Sequence, residues 1–66
     1  MAVAKTIEII AGSSNGIEDA IRAGIAKAAE SVDNIEAAWV KDTKIVVQNG
    51  AVAEWRVTLA VTFIVA

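Results

Sequence analysis

The 66-residue chain contains no cysteine, histidine, proline or tyrosine. Without cysteine there is no disulfide or thiol chemistry, and without histidine a Ser-His-Asp triad lacks its base and a zinc site lacks its common ligands. We therefore expect a protein that is not an enzyme. A chain of this size hides only about 60% of its unfolded surface when it folds alone. Self-association is then the remaining way to stabilise it.

Charged residues are few and do not cluster: six are basic and eight acidic, for a net charge of -2. The chain lacks the positive patch that is typical of nucleic-acid binding. Its longest weakly polar run, residues 57–66, is about half the ~20 residues that span a bilayer. Lys5 and Glu8 interrupt the first apolar stretch before a signal-peptide core can form. We expect a cytoplasmic protein with no nucleic-acid or membrane partner.

The pattern of apolar residues predicts four elements in one domain over residues 1–66. Alternation predicts strands over residues 3–11 and 35–48 and from residue 51 onward. Three- and four-residue spacing predicts an amphipathic helix that ends near Val32 and is capped by Asn15 or Ser14. Asn49-Gly50 is a hairpin signal between the last two strands. Gly24, inside the helix, indicates a close approach of a strand to the helix.

This element order predicts an α+β fold of β-α-β-β topology. It has a three-stranded antiparallel sheet, with the third strand in the middle, packed on one amphipathic helix. A helix about 24 Å long cannot cover strands that reach about 50 Å, so we expect copies of the same chain to cover the rest. The apolar segment Phe63–Ala66 is expected to lie in such a subunit contact.

Several segments together resemble the dodecin family. The resemblance is carried by the Gly12-Ser13-Ser14 turn, the Ala-rich helix, the Val32–Ile35 link and the segment Trp55–Phe63. It implies a hollow homododecamer. In the flavin-binding members of the family, the assembly holds pairs of flavins, such as FMN or riboflavin, at two-fold axes for storage and quenching.

The residues that bind flavin in those members are replaced here. Aligning Val40 with the family pattern places Ala37 where a Trp stacks on the ring and Arg56 where a Gln binds its polar edge. The resemblance is therefore closer to the members that lack this Trp, which include calcium-binding ones. Trp39 lies two residues beyond Ala37, so it should point to the same face of the strand, away from the helix. It either anchors a subunit contact or stacks on a displaced ring.

Two function classes follow. The first is storage of a small aromatic or anionic ligand, with Ala37, Trp39 and Arg56 as the ligand-binding candidates. In the alternative, the dodecamer is a calcium-binding or purely structural shell that does not bind flavin. One chain offers no EF-hand-like loop, so calcium would need carboxylates repeated about a symmetry axis, with Glu36 and Glu54 as candidates. For Arg56 we expect an ion pair with Glu54 or Asp42 of another subunit.

Overall fold

The computed structural model describes residues 3–65 and contains the four predicted elements. They are strand β1 (Val3–Ser13), helix α1 (Ile17–Ala29), strand β2 (Ile35–Gln48) and strand β3 (Ala51–Val65). The sheet is antiparallel with the order β1-β3-β2, so the third strand lies in the middle as predicted. Met1, Ala2 and Ala66, the last residue of the predicted contact segment, lie outside the described residues.

The core lies between α1 and the middle strand. Val57, Leu59 and Val61 of β3 are fully buried and pack with Ala20 of the helix. Because side chains alternate along a strand, the even-numbered residues from Arg56 to Thr62 lie on the opposite face of β3. We call that surface of the sheet, which faces away from α1, the far face.

Helix α1 lies against the sheet at Gly24, as the sequence predicted. A Cβ atom on Gly24 would lie 2.9 Å from Ala11 Cβ and 3.2 Å from Leu59 Cδ1. Real Cβ atoms do not approach neighbours this closely without a shift, so glycine is the residue that allows this distance between helix and sheet. The half-buried Ile21 and Ile25 pack against the core on either side of it.

Both ends of α1 differ from the prediction. The N-cap is Gly16, with no side-chain cap, rather than Asn15 or Ser14. Ser13 takes part in the turn instead: its hydroxyl accepts from Asn15 N at 2.9 Å and donates to Asp19 Oδ2 at 2.6 Å. The helix ends at Ala29, three residues before Val32. Beyond it, Glu30 N and Ser31 N donate to carbonyls three residues back, while Val32 N donates to Ala28 O, four residues back, at 3.0 Å.

The turns that reverse the chain use left-handed backbone. Asn34, just before β2, has a φ of 61°, and its carbonyl accepts from Ile64 N at 3.0 Å. Asn49 and Gly50 have φ values of 52° and 74°. Positive φ at both central residues is the requirement of a type I′ hairpin, so the predicted hairpin is confirmed.

Three register shifts interrupt the pairing of β2 with β3. They fall between Ile35 and Ala37, between Val40 and Asp42, and between Val46 and Val47. In the first two shifts, the extra residue belongs to β2: it is Glu36 in the first shift and Lys41 in the second. A bulge of this kind reverses which face the following residues take. Ile35 can therefore join the core while Ala37 points to the far face.

Candidate functional site

The far face carries the ligand-binding candidates from the sequence. Residues directly opposite one another in antiparallel strands place their side chains on the same face. Ala37 pairs with Thr62 and Trp39 pairs with Ala60, both even-numbered positions of β3. Ala37 and Trp39 therefore share the far face and point away from the helix, as predicted from their parity.

Trp39 is an exposed indole in the single chain. It is 71% exposed, and its neighbours across and along the sheet, Ala60 and Ala37, are both small. Ala37 lies two residues away, about 6.6 Å along the strand, and is itself exposed. On the side of Ala37, the indole therefore has room for a flat ring to lie against it. Trp55, by contrast, is half-buried on the helix side, opposite Ser13 and Ile45.

An ion pair crosses the sheet next to Trp39. Lys41 Nζ lies 3.2 Å from Glu8 Oε2. Glu8 is on β1 and pairs with Ala60, so Glu8, Ala60 and Trp39 form one row across the three strands. Since β3 separates β1 from β2, a side chain of Lys41 that reaches Glu8 must pass over β3. Ala60 is only 7% exposed, although it faces away from the helix.

Arg56 occupies a separate part of the far face. It is four residues from Ala60 along β3, about 13 Å from the row of Trp39. Its Nε donates to Glu54 Oε1 at 3.0 Å. Arg56 thus has an acidic partner within its own chain, where we expected one from another subunit. A Cβ on Gly12 would collide with the Glu54 carboxylate, so the absence of a side chain at Gly12 leaves the space in which this pair forms.

The two cation candidates are far apart in one chain. Glu36 is exposed at the first bulge, beside the pair of Ala37 with Thr62. Glu54 is eight residues from Thr62 along β3, about 26 Å away. Over residues 3–65, no group of three or more His, Cys, Asp or Glu residues could hold a metal ion. A cation site on Glu36 or Glu54 would therefore need carboxylates from more than one chain.

Sequence reasoning missed the part played by Lys41 and Glu8 on the far face. The two residues are 33 positions apart, and no spacing rule connects them. Lys41 reaches Glu8 from the position of the second bulge, and bulges leave no reliable pattern in the sequence. The available signal in the sequence was that Glu8 and Lys41 carry opposite charges and lie on the two edge strands of the predicted sheet.

The chain belongs to the dodecin family, since the family model for dodecin matches residues 3–66. Among solved structures, a dodecin from Streptomyces davaonensis is 28% identical, with a TM-score of 0.95 over 98% of this chain and 96% of that one. A variant of the dodecin from Thermus thermophilus is 29% identical, with a TM-score of 0.95 over 100% of this chain and 98% of that one.

A third solved structure is the calcium dodecin from Mycobacterium tuberculosis, described as a calcium-chelating antigen with a novel calcium-binding site. It is 33% identical, with a TM-score of 0.83 over 92% of this chain and 87% of that one. No curated protein sequence gives a significant match. Within residues 3–65, no helix is long and apolar enough to cross a membrane.

Proposed function

We propose that this chain is the subunit of a homododecamer that binds a planar aromatic ligand of the flavin class at Trp39 and stores it without chemical conversion. The observation that carries the proposal is the indole of Trp39, 71% exposed on the far face beside Ala37 and Ala60. An exposed Trp on a rigid strand can stack on a ring or fill a subunit contact. The small and exposed side chain of Ala37 beside the indole favours the ring.

The proposed site differs from that of flavin dodecins with a Trp at the position of Ala37. The aromatic surface is displaced by about 6.6 Å along β2, and Arg56 is about 13 Å away and paired with Glu54. We therefore expect flavin to bind, but more weakly than in those members. Storage is favoured over catalysis because the chain has no Cys or His to serve as nucleophile or base.

Quenching of riboflavin fluorescence in a titration with the assembled protein tests this proposal. Wild type and Trp55→Phe should bind alike, because Trp55 lies on the helix side of the sheet. Trp39→Leu should bind about 5- to 150-fold more weakly, the range that corresponds to the loss of one stacking contact. Equal affinity of the three proteins, each verified as assembled, would show that the ring does not stack on Trp39.

Calcium binding is the second candidate, supported by the 33% identity to the Mycobacterium tuberculosis calcium dodecin. Glu36 is exposed and free of any ion pair of residues 3–65, whereas Glu54 is already engaged by Arg56. We therefore favour Glu36 over Glu54 as the ligand. Calcium titration calorimetry on wild type, Glu36→Gln and the control Glu18→Gln would test it, since only Glu36→Gln should lose the heat of binding.

A cytoplasmic location and the absence of nucleic-acid and membrane partners stay predictions.

A further inference from the structure

Two asparagines of the chain precede a glycine, Asn15 before Gly16 and Asn49 before Gly50. An Asn-Gly bond is prone to deamidation, because glycine has no side chain to keep its nitrogen away from the side-chain amide of the asparagine. Asparagine is accordingly one of the thermolabile residues of proteins. The sequence does not distinguish the two sites, but the structure places them in different backbone environments.

Deamidation needs only water as a co-reactant. The backbone nitrogen of the glycine forms a bond to Cγ of the asparagine, the bond from Cγ to the side-chain nitrogen breaks, and ammonia leaves with the proton of the glycine N–H. The product is a five-membered succinimide ring. Water then opens this ring at either carbonyl, which gives aspartate or isoaspartate. The first step therefore requires a glycine nitrogen that can approach the asparagine side chain.

Asn49 is held away from this geometry by the hairpin. The ring closes only when Gly50 N lies on the same side of the Cα–C bond of Asn49 as its Cβ atom. At the first central residue of a type I′ turn, φ is about 60° and ψ about 30°, which places the next nitrogen nearly opposite to Cβ. Asn49 has this backbone, with a φ of 52°. Rotation of ψ to the closing geometry at positive φ leads into backbone space that is essentially reserved for glycine. Gln48 and Ala51, on either side of the turn, are paired with each other, so the strands restrict other rearrangements.

Asn15 lies in a less restricted segment, residues 14–16 between β1 and α1. It is exposed, and its φ is not in the left-handed region. Its backbone N donates to Ser13 Oγ at 2.9 Å, but Gly16 N, the attacking atom, donates no hydrogen bond to any of the described residues. Apart from Gly16 and its two chain neighbours, no residue has an atom within 4 Å of the position of a Cβ on this glycine. Gly16 therefore has room to rotate towards the side chain of Asn15.

We infer that Asn15 is a site of spontaneous deamidation in the folded protein, whereas Asn49, in the same Asn-Gly sequence, is protected by its turn. The reaction replaces a neutral amide with a carboxylate, so the charge of the chain changes from -2 to -3. The new carboxylate lies one residue before Gly16, the N-cap of α1, where a negative charge is favourable for the helix. The isoaspartate product also lengthens the backbone of this segment by one methylene carbon.

Tryptic mapping of aged protein tests the inference, because trypsin places each asparagine in a peptide of its own. Cleavage after lysine and arginine gives residues 6–22 with Asn15, residues 28–41 with Asn34 and residues 45–56 with Asn49. Assembled wild type is incubated in mildly alkaline buffer, and mass spectrometry follows the replacement of NH2 by OH in each peptide. The same incubation in guanidinium chloride that unfolds the protein gives the rate of each site without structure. Asn34, which precedes Ile35, is the slow internal reference.

In guanidinium chloride, both Asn-Gly sites should react. In the folded protein, Asn15 should deamidate at close to its unfolded rate. Asn49 should react about tenfold or more slowly than when unfolded, because it must first leave the type I′ turn. The variant Asn15→Gln should lose the modification at this position and the acidic species that ion-exchange chromatography separates, because the longer side chain would have to close a six-membered ring. Asn49 should react in this variant as it does in wild type.

Equal slowing of Asn15 and Asn49 by folding, or stronger slowing at Asn15, would overturn the inference. An acidic species of unchanged abundance in Asn15→Gln would also overturn it, since a residue other than Asn15 would then be the site. The two sites are compared within one wild-type sample, so the comparison decides the question even if the variant does not assemble.

Discussion

Side-chain size at single positions determines what the two faces of the sheet can contact. At Gly24, the absence of a Cβ atom brings α1 into contact with Ala11 and Leu59. At Ala37, the absence of a ring leaves the surface beside Trp39 open. Each position can be tested by the substitution that fills the space.

Gly24→Ala should destabilise the protein even though alanine is the better helix former. Overpacking against Ala11 Cβ at 2.9 Å and Leu59 Cδ1 at 3.2 Å costs about 1–3 kcal/mol, and the gain in helix propensity is about 1 kcal/mol. Thermal unfolding at a fixed protein concentration should give a lower midpoint for the variant. The exposed position Ala26 provides the reference, since Ala26→Gly measures helix propensity without packing. A Gly24→Ala variant more stable than wild type would contradict the close contact.

The double change Ala37→Trp with Arg56→Gln should raise riboflavin affinity about 5- to 150-fold, the effect of one stacking contact. Ala37 is exposed on the far face, so a Trp there has room to stack. Within one chain, position 56 lies six residues along β3 from Thr62, the partner of Ala37, about 20 Å away. A Gln at position 56, which offers both a donor and an acceptor, would therefore bind the ring from another copy of the chain. Riboflavin fluorescence quenching measures the change. Arg56→Gln alone is the control for loss of the pair with Glu54. If an assembled double variant gains nothing, the alignment that placed Ala37 at the stacking position is wrong.

At the level of elements, the hairpin and the bulges set the register of the sheet. The turn at Asn49 and Gly50 starts the pairing of β2 with β3, and the bulges at Glu36 and Lys41 then reverse the faces twice along β2. The first reversal places Ile35 in the core and Trp39 on the far face. The site therefore depends on backbone irregularity as well as on side-chain type.

Gly50→Ala should lower stability by about 1–2 kcal/mol, the cost of left-handed backbone for a residue with a Cβ. The φ of Gly50 is 74°, and apart from Gly50 itself and its two chain neighbours no residue has an atom within 4 Å of the position of the missing Cβ. The effect is therefore one of backbone conformation alone. Gly50→Asn is the matched control, because Asn adopts this conformation more readily. Thermal midpoints should fall in the order wild type, Gly50→Asn, Gly50→Ala, and equal midpoints would argue against the type I′ turn.

At the level of the whole molecule, one chain leaves much apolar surface uncovered. Helix α1 has 13 residues, about 20 Å, whereas the molecule is 51 Å long. Ile10, Trp39 and Val47 are among the large apolar residues left exposed, at 69%, 71% and 61%. Apolar surface on both faces of the sheet is typical of a chain that is covered by other copies of itself.

Sedimentation should give a species of about 83 kDa, twelve times the 6.9 kDa chain. Dissociation of the assembly and unfolding of the subunits should merge into one transition whose midpoint rises with protein concentration. The reason is that an isolated chain of this size is only marginally stable. Circular dichroism melts at several concentrations measure this. A folded species near 7 kDa at micromolar concentration would contradict it.

Trp39→Ala should weaken assembly before it changes secondary structure. If Trp39 lies at the centre of a contact between copies, directly or through a ligand, its truncation costs about 2 kcal/mol or more. The expected result is a higher dissociation concentration in sedimentation with an unchanged far-ultraviolet spectrum. Trp55→Phe is the control on the helix side. An assembly as stable as wild type without ligand would favour an open platform for an aromatic ring.

The sequence by itself determined the four elements, the strand order and the face shared by Ala37 and Trp39. The elements and the shared face follow from local rules, which are apolar alternation, helical spacing and the Asn-Gly turn signal. The strand order follows from the rules on how consecutive elements connect. Only the tertiary structure decided the bulges at Glu36 and Lys41, the partner of Arg56 within its own chain and the contact of Lys41 with Glu8. The bulges and the Lys41 contact depend on how distant strands align around the core. The short period of an apolar pattern contains no information on that alignment.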